Sequence, residues 1–386
     1  MSLKIAYCIP SLYYPSGMER VVTLKANYFA EVYGYEIVII LTDGKDKKPF
    51  YALSPLVSII NLDINYEELY GKSFLKKIAL YLKKQRIFKN RLKDCLLKIK
   101  PDITISTLRR EINFINSIKD GSVKIGEIHF SKANYRDLEG EKFINIVRKL
   151  IAFFWMKQLI HQLKKLDKFI TLTEEDRLLW TELNNVQTIN NPLSFFPDRI
   201  SRCENKQIIA AGRYVPQKGF DLLIEAWSLV ENKHPDWKLQ IFGDGDRKLL
   251  ENIIIKNNLQ NCYLNYSTND IASEFSNSSI YILSSRFEGF GMVIIEAMAC
   301  GVPPIAFDCP CGPKDIINNF KDGILVKSGD INELAEKICF LIENEDIRKE
   351  MGVNARKNAE RFKIEHIAEQ WKLLFEKLII KSNNKK

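Results

Sequence analysis

Short apolar runs and longer amphipathic stretches alternate along nearly the whole chain. Leu3–Ile9, Glu36–Leu41, Val57–Leu62, Ile103–Ser106, Val123–Ile128 and Lys168–Leu172 have the length and composition of strands. Helix-length segments lie between several of them: Glu19–Tyr33, Phe74–Ile99 and Glu141–Leu166. Strands that alternate with helices predict a parallel sheet covered on both faces.

The pattern stops near Asn191 and Pro192. The polar, proline-containing stretch Leu193–Lys206 has no clear periodicity and is expected to be an interdomain linker. The alternation then resumes. Gln207–Ala211, Lys238–Phe242, Ser279–Leu283, Pro304–Phe307 and Ile324–Val326 are expected strands, and Leu222–Asn232, Arg247–Asn258, Met292–Cys300 and Ile331–Glu343 expected helices. Two helical stretches, Glu345–Phe362 and Glu365–Lys381, close the chain. The 386 residues suit two domains rather than one core. The expected fold class is α/β, with two Rossmann-like doubly wound domains in tandem. Such domains place ligands at the carboxyl ends of their strands, here in the cleft between domains.

Composition narrows the class. At 46% hydrophobic and 27% charged, the chain has the profile of a globular protein in water. The longest apolar run, Leu150–Met156, falls far short of the roughly 18–20 residues that span a bilayer. The N-terminus runs directly into a strand and lacks the features of a secretory signal, so a cytoplasmic location is expected. The eight cysteines show no CxxC pair and no zinc-like spacing, which predicts reduced, mostly buried thiols and no structural metal.

The charge is uneven. Residues 1–200 carry 32 basic and 22 acidic side chains, whereas residues 201–386 carry 25 and 26. Lys72–Lys100 holds 11 of the basic residues against Asp94, and Lys142–Lys168 holds seven against Asp167. Basic amphipathic helices are drawn to anionic membrane surfaces, although a solvated helix face has the same composition. These stretches lack the aromatic platform or motif of a nucleic-acid binder, so none is expected.

The residues suited to chemistry cluster after predicted strands. In Ser285–Gly301 a strand runs into a loop with Gly289 and Gly291, where a helix begins at Met292. Glycines let a backbone approach a ligand closely, and freed helix N-terminal amides favour phosphate. Glu288 precedes this helix and Glu296 lies inside it, so a diphosphate cradle is flanked by two hydroxyl acceptors. Arg213 and Lys218 stand five apart after the first strand of the second half. Two cations there can neutralise a diphosphate leaving group. Gly243, Asp244 and Gly245 follow another strand and leave room for a base or ribose. In the first half, Gly17 lies in the loop after the first strand, placed to close over a phosphate. His129 ends the strand Val123–Ile128 and reads either as a core histidine or, from its place at a strand end, as a site residue.

Together these motifs resemble the retaining glycosyltransferases of family 4, which have the two-domain GT-B fold. The resemblance covers nearly the whole chain and is strongest over residues 207–330. It matches Glu288 and Glu296 to the family's paired glutamates, Arg213 and Lys218 to its basic pair, and Gly243–Gly245 to its Gly-Asp-Gly turn. It also matches Ser16, Gly17, Glu19 and Arg20 to the N-terminal glycine loop, and His129 to the strand-end histidine. The stretch Asp308–Ile317 looks like a variant found in bacterial enzymes that build surface polysaccharides on a lipid carrier.

The resemblance implies an acceptor-binding domain over 1–195, a nucleotide-sugar-binding domain over 196–364, and a helix in 365–386 that crosses back to the first domain. It implies that Arg213 and Lys218 bind the donor diphosphate and stabilise the departing nucleoside diphosphate. Glu288 would hold donor-sugar hydroxyls, with Gly289, Phe290, Gly291 and Met292 around it. Glu296 would hold the ribose, and His129 would sit beside the donor sugar and the reacting centre. It implies a uridine-type nucleotide-sugar donor, no metal and no other cofactor. The acceptor would be a glycan, lipid-linked, reached by peripheral contact with an anionic membrane. One position departs from the family: Leu264, Asn265 and Tyr266 stand where a strand usually ends in glycine, so that Tyr266 would either pack near the base or reshape that wall. The alternatives are another GT-B reaction, such as nucleotide-sugar epimerisation, and a non-catalytic nucleotide-sugar-binding subunit.

Overall fold

The computed structural model describes residues 2–132 and 145–384. They form two compact units, one of Met1–Pro192 with Ile364–Lys386 and one of Leu193–Lys363.

The first unit holds a parallel sheet of seven strands: β1 (Lys4–Ile9), β2 (Glu36–Leu41), β3 (Val57–Asn61), β4 (Ile103–Ser106), β5 (Val123–Glu127), β6 (Lys168–Thr171) and β7 (Val186–Thr188). Their order across the sheet is β3-β2-β1-β4-β5-β6-β7. The connecting helices are α1 (Gly17–Glu31), α2 (Phe74–Ile99), α3 (Asn145–Leu163) and α4 (Glu174–Leu179). Side chains alternate between the two faces of a strand. Ile5, Tyr7 and Ile9 of β1 therefore pack with Val22, Ala26 and Phe29 of α1. Ala6 and Cys8 join the opposite cluster with Phe88, Leu92 and Leu96 of α2. Apolar residues on both faces are what a doubly covered parallel sheet requires.

The second unit holds six parallel strands: β8 (Gln207–Ala211), β9 (Lys238–Phe242), β10 (Cys262–Asn265), β11 (Ile280–Leu283), β12 (Pro304–Phe307) and β13 (Ile324–Val326). They are ordered β10-β9-β8-β11-β12-β13. Its helices are α5 (Phe220–Glu231), α6 (Lys248–Lys256), α7 (Ile271–Ser276), α8 (Met292–Ala299), α9 (Pro313–Ile316), α10 (Ile331–Glu343) and α11 (Glu345–Ala359). One core joins Ile208, Leu239 and Ile241 of the sheet to Leu223 and Trp227 of α5 and to Leu334 and Ile338 of α10.

The last helix, α12 (Ile364–Asn383), belongs to the first unit. Ile367, Trp371, Leu374 and Phe375 enter the cluster that α1 covers. Phe375 meets Phe29 edge-on at 5.7 Å. The expected return of the terminal helix to the first unit is thus built from its apolar stripe.

Some expectations changed. The polar stretch after Pro192 is irregular because its backbone bonds to other segments, and it belongs to the second unit. Ser201 N–H donates to the Cys300 carbonyl at 2.8 Å, and the buried Arg348 guanidinium donates to the Cys203 carbonyl at 3.0 Å. β7, α4 and α9 are too short for a periodic signal. The start of the expected helix Glu141–Leu166 lies outside the described residues. The basic stretch 72–100 is not uniformly solvated: Lys84 Nζ donates to the Ile64 carbonyl, and Arg91 donates to those of Leu62 and Asp63. Lys76, Lys77, Lys83, Arg86, Lys89, Lys93 and Lys98 remain exposed. Among the described residues, no helix is long and apolar enough to cross a membrane.

Candidate functional site: the switch point of the second sheet

In an open parallel sheet, loops diverge at the carboxyl ends where the strand order reverses, and that crevice takes ligands. In the second unit the reversal lies between β8 and β11. The loop after β8 carries Gly212, Arg213 and Lys218. The loop after β11 carries Ser285, Glu288 and the glycines that open α8.

The two loops are bonded into one body. Lys218 Nζ donates to Glu288 Oε1 at 2.7 Å, and Ser285 Oγ donates to the same oxygen at 2.6 Å. Ser284 Oγ donates to the Lys218 carbonyl at 2.9 Å, and Gln217 Nε2 to the Phe287 carbonyl at 3.0 Å. Arg286 grips Asp221 through two bonds of 2.9 and 2.6 Å, and also reaches the Pro216 carbonyl. Those bonds to Arg286 hold the Asp221 carboxyl below its ordinary range. Gly219 has φ +61°, and a Cβ there would overlap the Ser284 carbonyl oxygen, so only glycine lets the loops close this far.

Gly291, with φ +93°, turns the chain into α8. The first amides of a helix lack the usual partner one turn back. Here Ile294 N–H donates to the Gly291 carbonyl at 2.9 Å, and Met292 and Val293 precede it at the start of α8. Phe290 is buried and meets Phe362 at 5.7 Å, which fixes the turn from behind. Gly289 is half-buried between these two anchors. Arg213 is exposed, one residue after Gly212.

Glu296 lies on the second turn of α8 and is buried, with Oε1 accepting from Ser194 Oγ at 2.8 Å. The turn after β9 packs against the turn after β8. A Cβ on Gly243 would overlap the Gly212 carbonyl oxygen. Asp244 points the other way, and its carboxylate accepts from the backbone and hydroxyl of Ser267. Asp244 therefore shapes the wall, and the small residues beside it supply the space. Tyr266 is exposed and its ring carries the Arg247 guanidinium at 4.1 Å.

In the first unit the strand order reverses between β1 and β4. Gly17 is the first residue of α1, and a Cβ there would meet nothing within 4 Å. His129 follows β5, the neighbour of β4, and its side chain is only 5% exposed. Burial pulls its pKa down to about 4, against the nearby Glu127 carboxylate, which acts in the opposite direction. The ring is therefore neutral at ordinary pH.

Residues 196–358 match the family model described as glycosyl transferases group 1. This stretch is similar to the group 1 glycosyl transferases and makes up less than half of the chain. An uncharacterized glycosyltransferase of Haemophilus influenzae is 29% identical over 377 residues, covering 96% of this chain and 99% of the relative. The poly(ribitol-phosphate) alpha-N-acetylglucosaminyltransferase of Staphylococcus aureus is 33% identical over 232 residues, 57% of this chain and 46% of that protein. The chain thus spans under half the length of that second relative. In fold, the chain is similar to S. aureus TarM solved with fondaparinux, alpha-GlcNAc-glycerol and UDP, at TM-score 0.75 and 20% identity over 97% of this chain and 99% of that one. The architecture is GT-B.

Within the second unit, the structure brings together Lys218, Glu288 and the glycine-opened start of α8. It leaves Arg213 reaching into solvent and ties Glu296 and Asp244 to serines. Sequence reasoning passed over Ser285, Ser194 and the Arg286–Asp221 clamp. Only the Ser285–Glu288 spacing was local enough to have signalled its partner. It also passed over Lys25 and Glu127, which flank His129 in the first unit. Their signal was a charge on an otherwise apolar helix stripe and another inside a buried strand. Away from the site, at the helix ends opposite the carboxyl edge, His234, Cys339 and Glu343 bring possible metal-ligand atoms within 4.8 Å of one another.

Proposed function

We propose that the protein is a retaining glycosyltransferase that moves a hexose or N-acetylhexosamine from a uridine-type nucleotide sugar to a lipid-linked glycan during surface-polysaccharide synthesis. The observation that carries this reading is the Lys218–Glu288 pair beside the open end of α8 at the β8/β11 switch point. A diphosphate sugar presents one part to each of these groups. Its phosphates meet the α8 amides, Lys218 and Arg213, and its sugar hydroxyls donate to Glu288. Glu288 already accepts two hydrogen bonds on Oε1, so a hydroxyl entering on Oε2 meets a carboxylate held in place. Glu296 takes the ribose, exchanging or sharing its bond to Ser194.

As the glycosidic bond breaks, negative charge grows on the nucleoside diphosphate. Lys218, Arg213 and the amides stabilise that charge where it forms, and fixed donors aimed at a developing charge are the strongest aid a site of this kind can give. They supply it without a metal. His129 serves the donor sugar as a neutral ring, and the first unit binds the acceptor. The relative that makes an alpha-N-acetylglucosaminyl linkage and the neighbour solved with UDP support the donor class. The exposed bases of α2 support peripheral contact with the anionic inner face of the membrane, at about 1 kcal/mol for each base near the surface.

The test is a panel of nucleotide sugars offered with and without a lipid-linked glycan. The expected result is acceptor-dependent release of a uridine diphosphate, with the anomeric configuration of the donor kept in the product by NMR. An inverted product contradicts retention. An epimer formed from donor alone contradicts transfer.

A further inference from the structure

We propose that Lys25 and Glu127 are positioning residues for His129, and that the terminal helix α12 takes part in this assembly through Trp371. The inference rests on the reading of His129 as a site residue.

The four side chains come from three distant parts of the sequence. Lys25 stands on α1, Glu127 ends β5, His129 follows it, and Trp371 lies on α12. Lys25 Nζ donates to Glu127 Oε1, and each side chain is only 1% exposed. His129 Nε2 faces the same oxygen from 3.5 Å, too far for a hydrogen bond but close enough to feel its charge. The ammonium of Lys25 sits 4.4 Å from the centre of the Trp371 ring and 5.8 Å from that of Tyr7. It is therefore held by one carboxylate and two aromatic faces.

A buried ion pair gains little stability over apolar residues of the same volume, so burial alone does not explain this one. Its geometry suggests a task. Glu127 Oε2 and His129 Nε2 are buried and have no hydrogen-bond partner among the described residues. A carboxylate facing Nε2 favours the tautomer with the proton on that nitrogen, which leaves Nδ1 as an acceptor for a hydroxyl. The Lys25 ammonium, bonded to the same oxygen, limits the pull of that carboxylate on the ring. The charged groups acting on His129 are Glu127 of its own strand, Lys25 of α1 and Arg109 after β4. Glu127 favours the charged ring, whereas Lys25 and Arg109 oppose it. Burial is the main reason that the ring stays neutral. The assembly sets the balance of charge on it and its tautomer, and the Trp371 ring face holds the Lys25 ammonium in place.

The chain has four histidines, so NMR of the full-length protein with labelled histidine resolves each ring, and His129→Gln assigns its signal. In the wild type, His129 should show the Nε2–H tautomer and no titration above about pH 5. In Lys25→Met its titration should move up by about one pH unit or more, because the opposing cation is gone. Trp371→Leu should give a smaller shift of the same sign. Where Lys25→Met does not fold, the charge-neutral pair Lys25→Met with Glu127→Gln carries the test. That protein should show mixed tautomers of His129, with kcat lowered about tenfold and donor KM unchanged. A folded variant with His129 unaltered in tautomer, titration and kcat overturns the proposal. The separate reading of His129 fails if His129→Gln keeps full kcat, whatever the NMR of the other variants shows.

Discussion

The two sheets of this molecule reach their carboxyl edges in opposite ways. At the β8/β11 edge the polar groups of two loops 70 positions apart satisfy one another. Lys218, Ser285 and Glu288 share one oxygen, Gln217 binds the facing backbone, and glycine lets the loops touch. Near the β1/β4 edge and α1, polar atoms are buried and left open. Tyr7 Oη, Glu19 Oε2, Thr23 Oγ1, Glu127 Oε2 and His129 Nε2 have no hydrogen-bond partner among the described residues. An open, buried polar atom is costly unless water or a ligand completes it. At the β8/β11 edge the loops are bonded to each other around Glu288, with Tyr281 Oη of β11 left open beneath them, whereas near β1 and β5 several polar atoms stay open together. One fold repeated twice in a chain can thus serve two kinds of task.

Removing a charge from each edge should separate them most widely. Lys25→Ala leaves Glu127 buried without its cation, and unfolding should become easier by about 3–5 kcal/mol. Lys218→Ala frees a carboxylate that is still held by Ser285, and should cost far less. Denaturant melts of both proteins check the order, and equal losses would erase the distinction.

Acid is the next probe. Burial lowers the His129 pKa from 6.5 to about 4, so the unfolded chain binds that proton first as pH falls. Stability is complete above about pH 6.5 and should fall by about 3 kcal/mol on the way to pH 4, then level off with respect to this group. His129→Gln should flatten that part of the profile, and an unchanged slope would mean that another group sets it.

The smallest effects come from glycine. Gly243→Ala pushes a Cβ into the Gly212 carbonyl and should cost about 1–3 kcal/mol through forced backbone movement. Gly17→Ala meets open space and should stay within about 0.5 kcal/mol. Thermal melts of the two variants measure this, and comparable losses at both positions would show that the two loops are equally tight.

The same contrast explains what the sequence made legible. The second unit's site lies in contiguous stretches, where spacing carries the chemistry: Glu288 stands before Gly289 and Gly291, and α8 begins at once. The alternation of strands and helices likewise announced both sheets, because parallel strands are apolar on both faces. Lys25 and Glu127 were missed because their meaning depends on a pairing across 102 positions, which no local pattern reports. The roles of Glu296 and Asp244 were incomplete for a similar reason, since Ser194 and Ser267 reach them from other elements. The stretch after Pro192 lacked periodicity because its partners are backbone groups of several segments rather than one apolar face.

Whether the β8/β11 edge holds the donor is decided by calorimetric titration of UDP, paired with sugar-transfer rates. The wild type should bind UDP. Lys218→Ala should weaken that binding about tenfold or more, since it loses a charge-assisted contact to phosphate. Glu288→Gln should bind UDP like the wild type yet lose about 10²–10³-fold in transfer, because its partner is the sugar. Unchanged UDP affinity in Lys218→Ala, together with full transfer by Glu288→Gln, would overturn the assignment of this edge to the donor.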